Sequence, residues 1–274
     1  MNVQQQSTSN ALAAPLLREA RDAVEILTLN RPAARNALSE EMIAALHAAI
    51  DAVSREDAVR GIVIAANGPA FCAGHDLKEL TARRGDADGG RGYFAHIMGS
   101  CSAMMQAIVH CPKPVIAAVN GMATAAGCQL VATCDLAVAS DTARFATPGV
   151  DIGLFCSTPM VALTRNVPRK QAMEILLTGE PIPAERAREI GLVNRVVAEG
   201  TERAKAIALA ELIASKSMHT VKIGKTAFYR QAEMSLADAY RFASEVMTEN
   251  MMARDAAEGI AAAIEKRKPR WEDK

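Results

Sequence analysis

The chain lacks a charge excess of either sign: 31 Lys and Arg stand against 31 Asp and Glu over 274 residues, a formal net charge of zero. Duplexes and phospholipid surfaces are held chiefly by clustered Lys and Arg, so neither a nucleic acid nor a membrane is expected as a partner. Long apolar runs are lacking too, and none approaches the roughly 18 residues that would suggest a membrane span. At the N-terminus no basic segment precedes an apolar one, and the first basic residue is Arg18. This disfavours secretory and mitochondrial leaders, and the expected compartment is the cytoplasm.

Metal and redox signatures are equally scarce. Cys72, Cys101, Cys111, Cys128, Cys134 and Cys156 form no Cys-x-x-Cys pair and sit mostly inside apolar runs. They read as reduced, buried small hydrophobes. The five His show no zinc spacing, and no Gly-x-Gly-x-x-Gly follows a strand, so no metal or dinucleotide cofactor is expected. A Gly-x-Ser-x-Gly elbow is also missing, which argues against an α/β hydrolase.

What is present describes an ordered globule with one large core: half of the residues are hydrophobic and 23% charged. Residues 1 to about 20 form a polar lead-in, expected to be mobile or draped over the surface. Ala23 to Asn30 alternates polar and apolar side chains and stops at Arg31-Pro32, which predicts a strand entering a loop. Ser39 is placed to cap a helix whose apolar face carries Met42, Ile43, Leu46, Ile50 and Val53. Gly61 to Ala66, Val115 to Val119 and Leu136 to Val138 read as short buried strands. Helical stretches at Ser100 to His110 and Ala125 to Thr133 lie between them, an α/β alternation with right-handed crossovers. Gly85 to Gly92 reads as a mobile loop. From Thr201 onward, apolar residues recur only at helical spacing. The division is therefore a lead-in at 1–20, a core domain at 21–200 and an all-helical region at 201–274.

Two places combine a strand end, small residues and a helix start: Phe71 to Lys78, and Val119 to Gln129. Small residues at a helix start leave backbone N–H groups open to a ligand, and the helix dipole favours negative charge there. Two such termini converging would make an oxyanion hole; tight strand-to-helix packing is the alternative.

Taken together, these motifs resemble the crotonase superfamily, the enoyl-CoA hydratase/isomerase family. The resemblance runs through Leu29-Asn30-Arg31-Pro32, Asn36-Ala37-Leu38, Ala73-Gly74-His75-Asp76, Asn120-Gly121, Cys134-Asp135-Leu136, Phe145-Ala146-Thr147-Pro148 and Glu258-Gly259-Ile260. The stretches at 153–159, 167–170 and 177–182 look like a divergent branch of it. The resemblance implies a crotonase-like spiral of ββα units with an all-helical C-terminal trimerisation part, assembled as a homotrimer or a dimer of trimers. It implies acyl-CoA thioesters as ligands, with no cofactor beyond the coenzyme A moiety of the substrate. Carried over by position, the oxyanion hole would be the backbone N–H groups of His75 and Ala126. Backbone around Ala73, Asp76 and Leu77 would hold the adenine, with Lys78 close to that end. Lys266, in the run Lys266-Arg267-Lys268-Pro269-Arg270, is a candidate phosphate contact, against a solvated helix end.

The departures from the family pattern bear on the reaction. Where its hydratases carry two glutamates, this chain has Gln129 and Gly149, and neither transfers a proton. General acid–base groups contribute about 10²–10⁴ each, so classical hydratase activity is expected to be weak or absent. Asp151, Ser157 or a bound water or anion held by Gln129 are the candidate substitutes. The imidazole of His75 is the only group of its loop that titrates near neutrality, but the resemblance gives the work to its backbone. An acyl-CoA lyase or isomerase and a non-catalytic acyl-CoA binder both remain open.

Overall fold

The computed structural model describes residues 14–274. Ten strands form two sheets. One has six strands: β1 (Leu16–Arg21), β2 (Val24–Leu29), β3 (Gly61–Ala66), β5 (Val115–Val119), β7 (Leu136–Ser140) and β10 (Arg195–Val197), adjacent in that order. The other places β4 (Ala70–Cys72), β6 (Met122–Thr124), β8 (Arg144–Ala146) and β9 (Ile182–Pro183) side by side. Only the outermost pairs, β1 with β2 and β8 with β9, are antiparallel. The chain lays one strand in the large sheet and the next in the small sheet, passes through a helix, and repeats. β3–β4, β5–β6 and β7–β8 are three such turns of a ββα spiral.

The helices are α1 (Glu40–Arg55), α2 (Leu77–Ala82), α3 (Arg91–His110), α4 (Ala126–Thr133), α5 (Ser157–Asn166), α6 (Arg169–Thr178), α7 (Ala184–Glu189), α8 (Glu202–Ala214), α9 (Met218–Gln231), α10 (Leu236–Met252) and α11 (Arg254–Ile264). Ser39 caps α1, its hydroxyl accepting from Met42 N at 3.2 Å, and the predicted apolar face is buried. The middle of the large sheet is covered on both faces, which is why β3 and β5 are uniformly apolar. Ile62 and Ile64 of β3 join the main core with α1, α3 and α4. Val63 and Ala65 join a second cluster with Ala206, Ile207 and Ala210 of α8. All six cysteines are free and buried, and burial pushes the thiols of Cys72, Cys101 and Cys128 up to about 12.

Two expectations are corrected. The lead-in ends before residue 20, because Leu16–Arg21 is an edge strand paired with β2 and tied by Arg18 Nε to Glu25 Oε1 at 2.7 Å; its first 13 residues lie outside the described residues. The segment read as a mobile loop is a built turn. Asp88 accepts from the N–H groups of Gly90 and Gly92, while Arg83 and Arg84 stack over Tyr93 and Phe94. Helix α3 consequently starts at Arg91, nine residues before the apolar stretch that predicted it.

The C-terminal region is all helical, as expected. Helix α9 is docked on the core through Asp135, which accepts from Lys225 Nζ (2.7 Å), Tyr229 Oη (2.8 Å) and Val115 N (2.7 Å). Beyond it, α10 and α11 pack on α9 and on each other. Asp255, at the start of α11, accepts from the N–H groups of Glu272 and Asp273 and so folds the chain end back. No helix among the described residues is long and apolar enough to cross a membrane.

Candidate functional site

Segment 35–38 runs beside segment 73–76 and sets its course. Ala73 N donates to Arg35 O (3.0 Å), Leu38 N to Gly74 O (2.7 Å) and Asp76 N to Leu38 O (3.3 Å). Asn36 organises the first of these stretches. Its φ is 52°, a left-handed conformation that Asn tolerates better than most residues. Its buried side chain accepts from Arg31 N and donates to Asn67 O and Ala70 O. Arg31 reaches across as well, donating to Ala37 O (2.9 Å) and to Asp76 Oδ2 (3.1 Å). The sequence marked Arg31 and Asn36 only as points of resemblance. An Asn beside a turn was the signal that it anchors the neighbouring loop.

The loop then meets α4. Gly74 has φ +86°, and a Cβ there would lie 3.0 Å from both Ala125 Cβ and Thr124 O and 3.3 Å from Ala126 N. Only glycine fits. Ala125 is held at φ 50° and ψ −118°, a strained conformation for a residue with a side chain. It is fixed by its N–H donating to Ala146 O at 2.9 Å and by the adjoining helix, of which Ala126 is the first residue. Among the described residues, the N–H groups of His75 and Ala126 have no acceptor. The two predicted motifs thus meet where Gly74, the residue before His75, packs against Ala125 and the Ala126 nitrogen.

The side chains around them differ in character. His75 has no hydrogen-bond partner on either ring nitrogen. Burial pushes its imidazole below the usual value, opposed in part by the Leu38 backbone from outside hydrogen-bonding geometry. Gln129, one turn into α4, is 4% exposed, and its Oε1 is buried without a partner. Asp76 caps α2, accepting from Lys78 N at 3.1 Å. Burial works against its charge, but Arg31 and the N–H groups of Lys78 and Glu79 outweigh it and hold the carboxyl below its ordinary range. Leu77 and Lys78 are exposed beside it.

The other candidates lie elsewhere. Gly149 is buried in the turn Pro148–Ile152, three residues past the Ala146 carbonyl that binds Ala125. Asp151 is exposed, with Oδ2 3.2 Å from where a Cβ on Gly179 would sit. Ser157 is exposed at the start of α5 and donates to Phe155 O at 3.3 Å. Lys266 follows α11. In that run Arg267 is paired with Glu258 and Glu265, and residues 267–270 border a cavity of about 740 Å³ shared with Arg254 and Glu258. This cavity is not the place where His75 and Ala126 meet. Among the described residues there is no group of three or more His, Cys, Asp or Glu side chains that could hold a metal ion.

The model of the enoyl-CoA hydratase/isomerase family matches residues 19–274. The mitochondrial enoyl-CoA hydratase domain-containing protein 3 of Mus musculus is 49% identical over 92% of this chain and 82% of its own. That of Xenopus laevis is 50% identical over 89% and 82%. The crystal structure of the human enoyl-CoA hydratase domain-containing protein 3 superimposes with a TM-score of 0.89 at 47% identity, over 94% of this chain and 100% of that one. An enoyl-CoA hydratase of Mycobacterium smegmatis gives 0.89 at 50% identity, over 94% and 98%. The mitochondrial names of the vertebrate relatives overturn the expected cytoplasmic placement. The lack of basic residues before Arg18 bore only on a leader, not on the compartment.

Proposed function

The chain belongs to the enoyl-CoA hydratase/isomerase family, and on that premise we propose that it binds an acyl-CoA or enoyl-CoA thioester and stabilises the enolate formed from it. The observation that carries this reading is that the N–H groups of His75 and Ala126 have no acceptor among the described residues, while Gly74, just before His75, packs against Ala125 and the Ala126 nitrogen. When a proton leaves the α-carbon, charge moves to the thioester oxygen. Two preorganised donors aimed at that oxygen are worth about 10²–10³ in rate each.

The coenzyme end falls to the neighbouring loop. The N–H groups of Ala73 and Asp76 are already committed, so the adenine is held by the remaining backbone around Ala73, Asp76 and Leu77, with Lys78 and Lys266 as phosphate contacts. No cofactor is required beyond the coenzyme A of the substrate. The exposed apolar residues Phe228, Leu236, Tyr240, Met252 and Ile264 of the C-terminal helices support self-association, as a homotrimer or a dimer of trimers.

Hydration is not the favoured reaction. Gln129 and Gly149 stand where a hydratase needs its acid and base, and Ser157 is committed to a carbonyl. The site serves a lyase or isomerase step in which Gln129 orients a water or anion. A second reading, a non-catalytic acyl-CoA binder, is favoured by the same two residues. Crotonyl-CoA hydration with and without bicarbonate, beside turnover of an acyl-CoA panel, separates them. Fast hydration indifferent to added anion would sink the missing-base argument. Tight binding without turnover across the panel would favour the binder.

A further inference from the structure

The place that a side chain at position 149 would need is already filled. A Cβ built on Gly149 lies 2.8 Å from Leu154 O, 2.9 Å from Cys156 Sγ and 3.4 Å from Cys156 N. The two ends of this turn are tied together: Leu154 N donates to Gly149 O at 2.8 Å. Cys156 is buried. Burial raises its thiol above the ordinary value, and the Gly149 N–H offsets part of that rise. Its sulfur is also near enough to Cys128 to add to the rise that burial gives the Cys128 thiol, and Cys128 precedes Gln129 on α4. The turn is tied to the start of α4, because the Ala146 carbonyl just ahead of it fixes Ala125, the residue before Ala126.

We propose that Cys156 is a specificity-determining residue: seated in the turn with its sulfur against Gly149, it closes this wall of the site to an ionisable side chain. This rests on the acyl-CoA reading above. Glycine at 149 is then a steric requirement set by the Leu154 carbonyl and the Cys156 sulfur together. The carbonyl belongs to residues 153–155, which are exposed and carry no regular structure, whereas the sulfur is buried and is the obstacle that a substitution at 156 takes away.

A cycle of four proteins tests this: the parent, Gly149→Glu, Cys156→Gly and the double variant, each measured for thermal stability and crotonyl-CoA hydration against pH. Gly149→Glu is expected to lower the melting temperature markedly in the parent and much less beside Cys156→Gly. The double variant is expected to hydrate about 10²-fold faster than Cys156→Gly alone, with a new acidic limb in its pH profile. Gly149→Ala, which adds only the Cβ, gives the same stability comparison if the glutamate variant does not fold. Additive losses of stability, or hydration by Gly149→Glu alone equal to that of the double variant, would overturn the proposal. Coupled stabilities with no crotonyl-CoA bound by any of the four would uphold the seating of Cys156 and overturn the acyl-CoA reading instead.

Discussion

Gly74 and Ala125 approach so closely that a Cβ on the glycine would lie 3.0 Å from the Cβ of the alanine. This contact joins two segments about fifty residues apart in sequence, the one carrying His75 and the one carrying Ala126, whose N–H groups are the proposed oxyanion hole. Gly74→Ala therefore meets both a backbone conformation unsuited to a side chain, at φ +86°, and a collision with Thr124 O. A loss of about 1–3 kcal/mol is expected, read by chemical denaturation. The larger effect falls on acyl-CoA binding and turnover, because any shift that relieves the clash separates the two donors.

Asp76 ties that loop to Arg31 and caps α2. Asp76→Ala removes both roles at a cost of about 1–2 kcal/mol. Asp76→Asn keeps the cap and loses the ion pair, so it should fall between. The folded pKa of Asp76 lies below its ordinary value. Its contribution is thus fully present above about pH 4 and is lost as pH falls through the folded pKa. Denaturation midpoints of wild type and Asp76→Asn should converge at the acid end; a constant gap would refute the ion-pair assignment.

His75 acts in a separate window and with the opposite demand on its charge. Its folded pKa is lowered by burial, so the unfolded chain takes up the proton first. Above about pH 6.5 both states are neutral and the residue is silent. As pH falls below that value toward the folded pKa, the unfolded state gains and stability declines. His75→Gln should flatten the stability profile in this window and keep the backbone N–H. Acyl-CoA binding retained by this variant would fit a role for the backbone; its loss would return the imidazole to consideration.

Asp135 holds α9 to the core through the buried Lys225 and the Tyr229 hydroxyl. Asp135→Ala leaves Lys225 facing the carbonyls of Ile108 and Lys113 alone, at a cost of about 3–5 kcal/mol. Adding Lys225→Met should restore much of it, since an apolar pair carries no stranded charge. Hydrogen exchange should show the single variant opening first in α9 to α11.

The parts of this molecule that were legible in the sequence are those where one short segment carries its own evidence. β3 and β5 are unbroken β-branched and small apolar runs because both faces of the large sheet are covered. α1 announces itself by Ser39 and its apolar face. β1 was not legible, because an edge strand needs polar residues, and Arg18 and Glu19 look like a solvated tail until folding brings Glu25 of the next strand within hydrogen-bonding reach of Arg18. Arg31 and Asn36 were visible as a pattern but not as a mechanism. Their partners Asp76, Asn67 and Ala70 lie more than thirty residues away, and only folding brings them near.

Gln129 keeps a polar group in a place that works against stability. It is buried on α4 with Oε1 unpartnered, and a buried polar group left without a partner costs about 1–3 kcal/mol. A purely structural position would be expected to carry an apolar residue of that size. Gln129→Leu should accordingly raise stability by about 1 kcal/mol or more, in the manner of sites where function is kept at the expense of stability. On the proposed function the same substitution should weaken acyl-CoA turnover, or binding if the chain only binds, because it removes the side chain proposed to orient a water or anion. Denaturant midpoints and acyl-CoA titration of this one variant separate the possibilities. A gain in stability with unchanged ligand behaviour would make Gln129 a bystander, while a loss of stability would mean that its amide is satisfied within the folded protein.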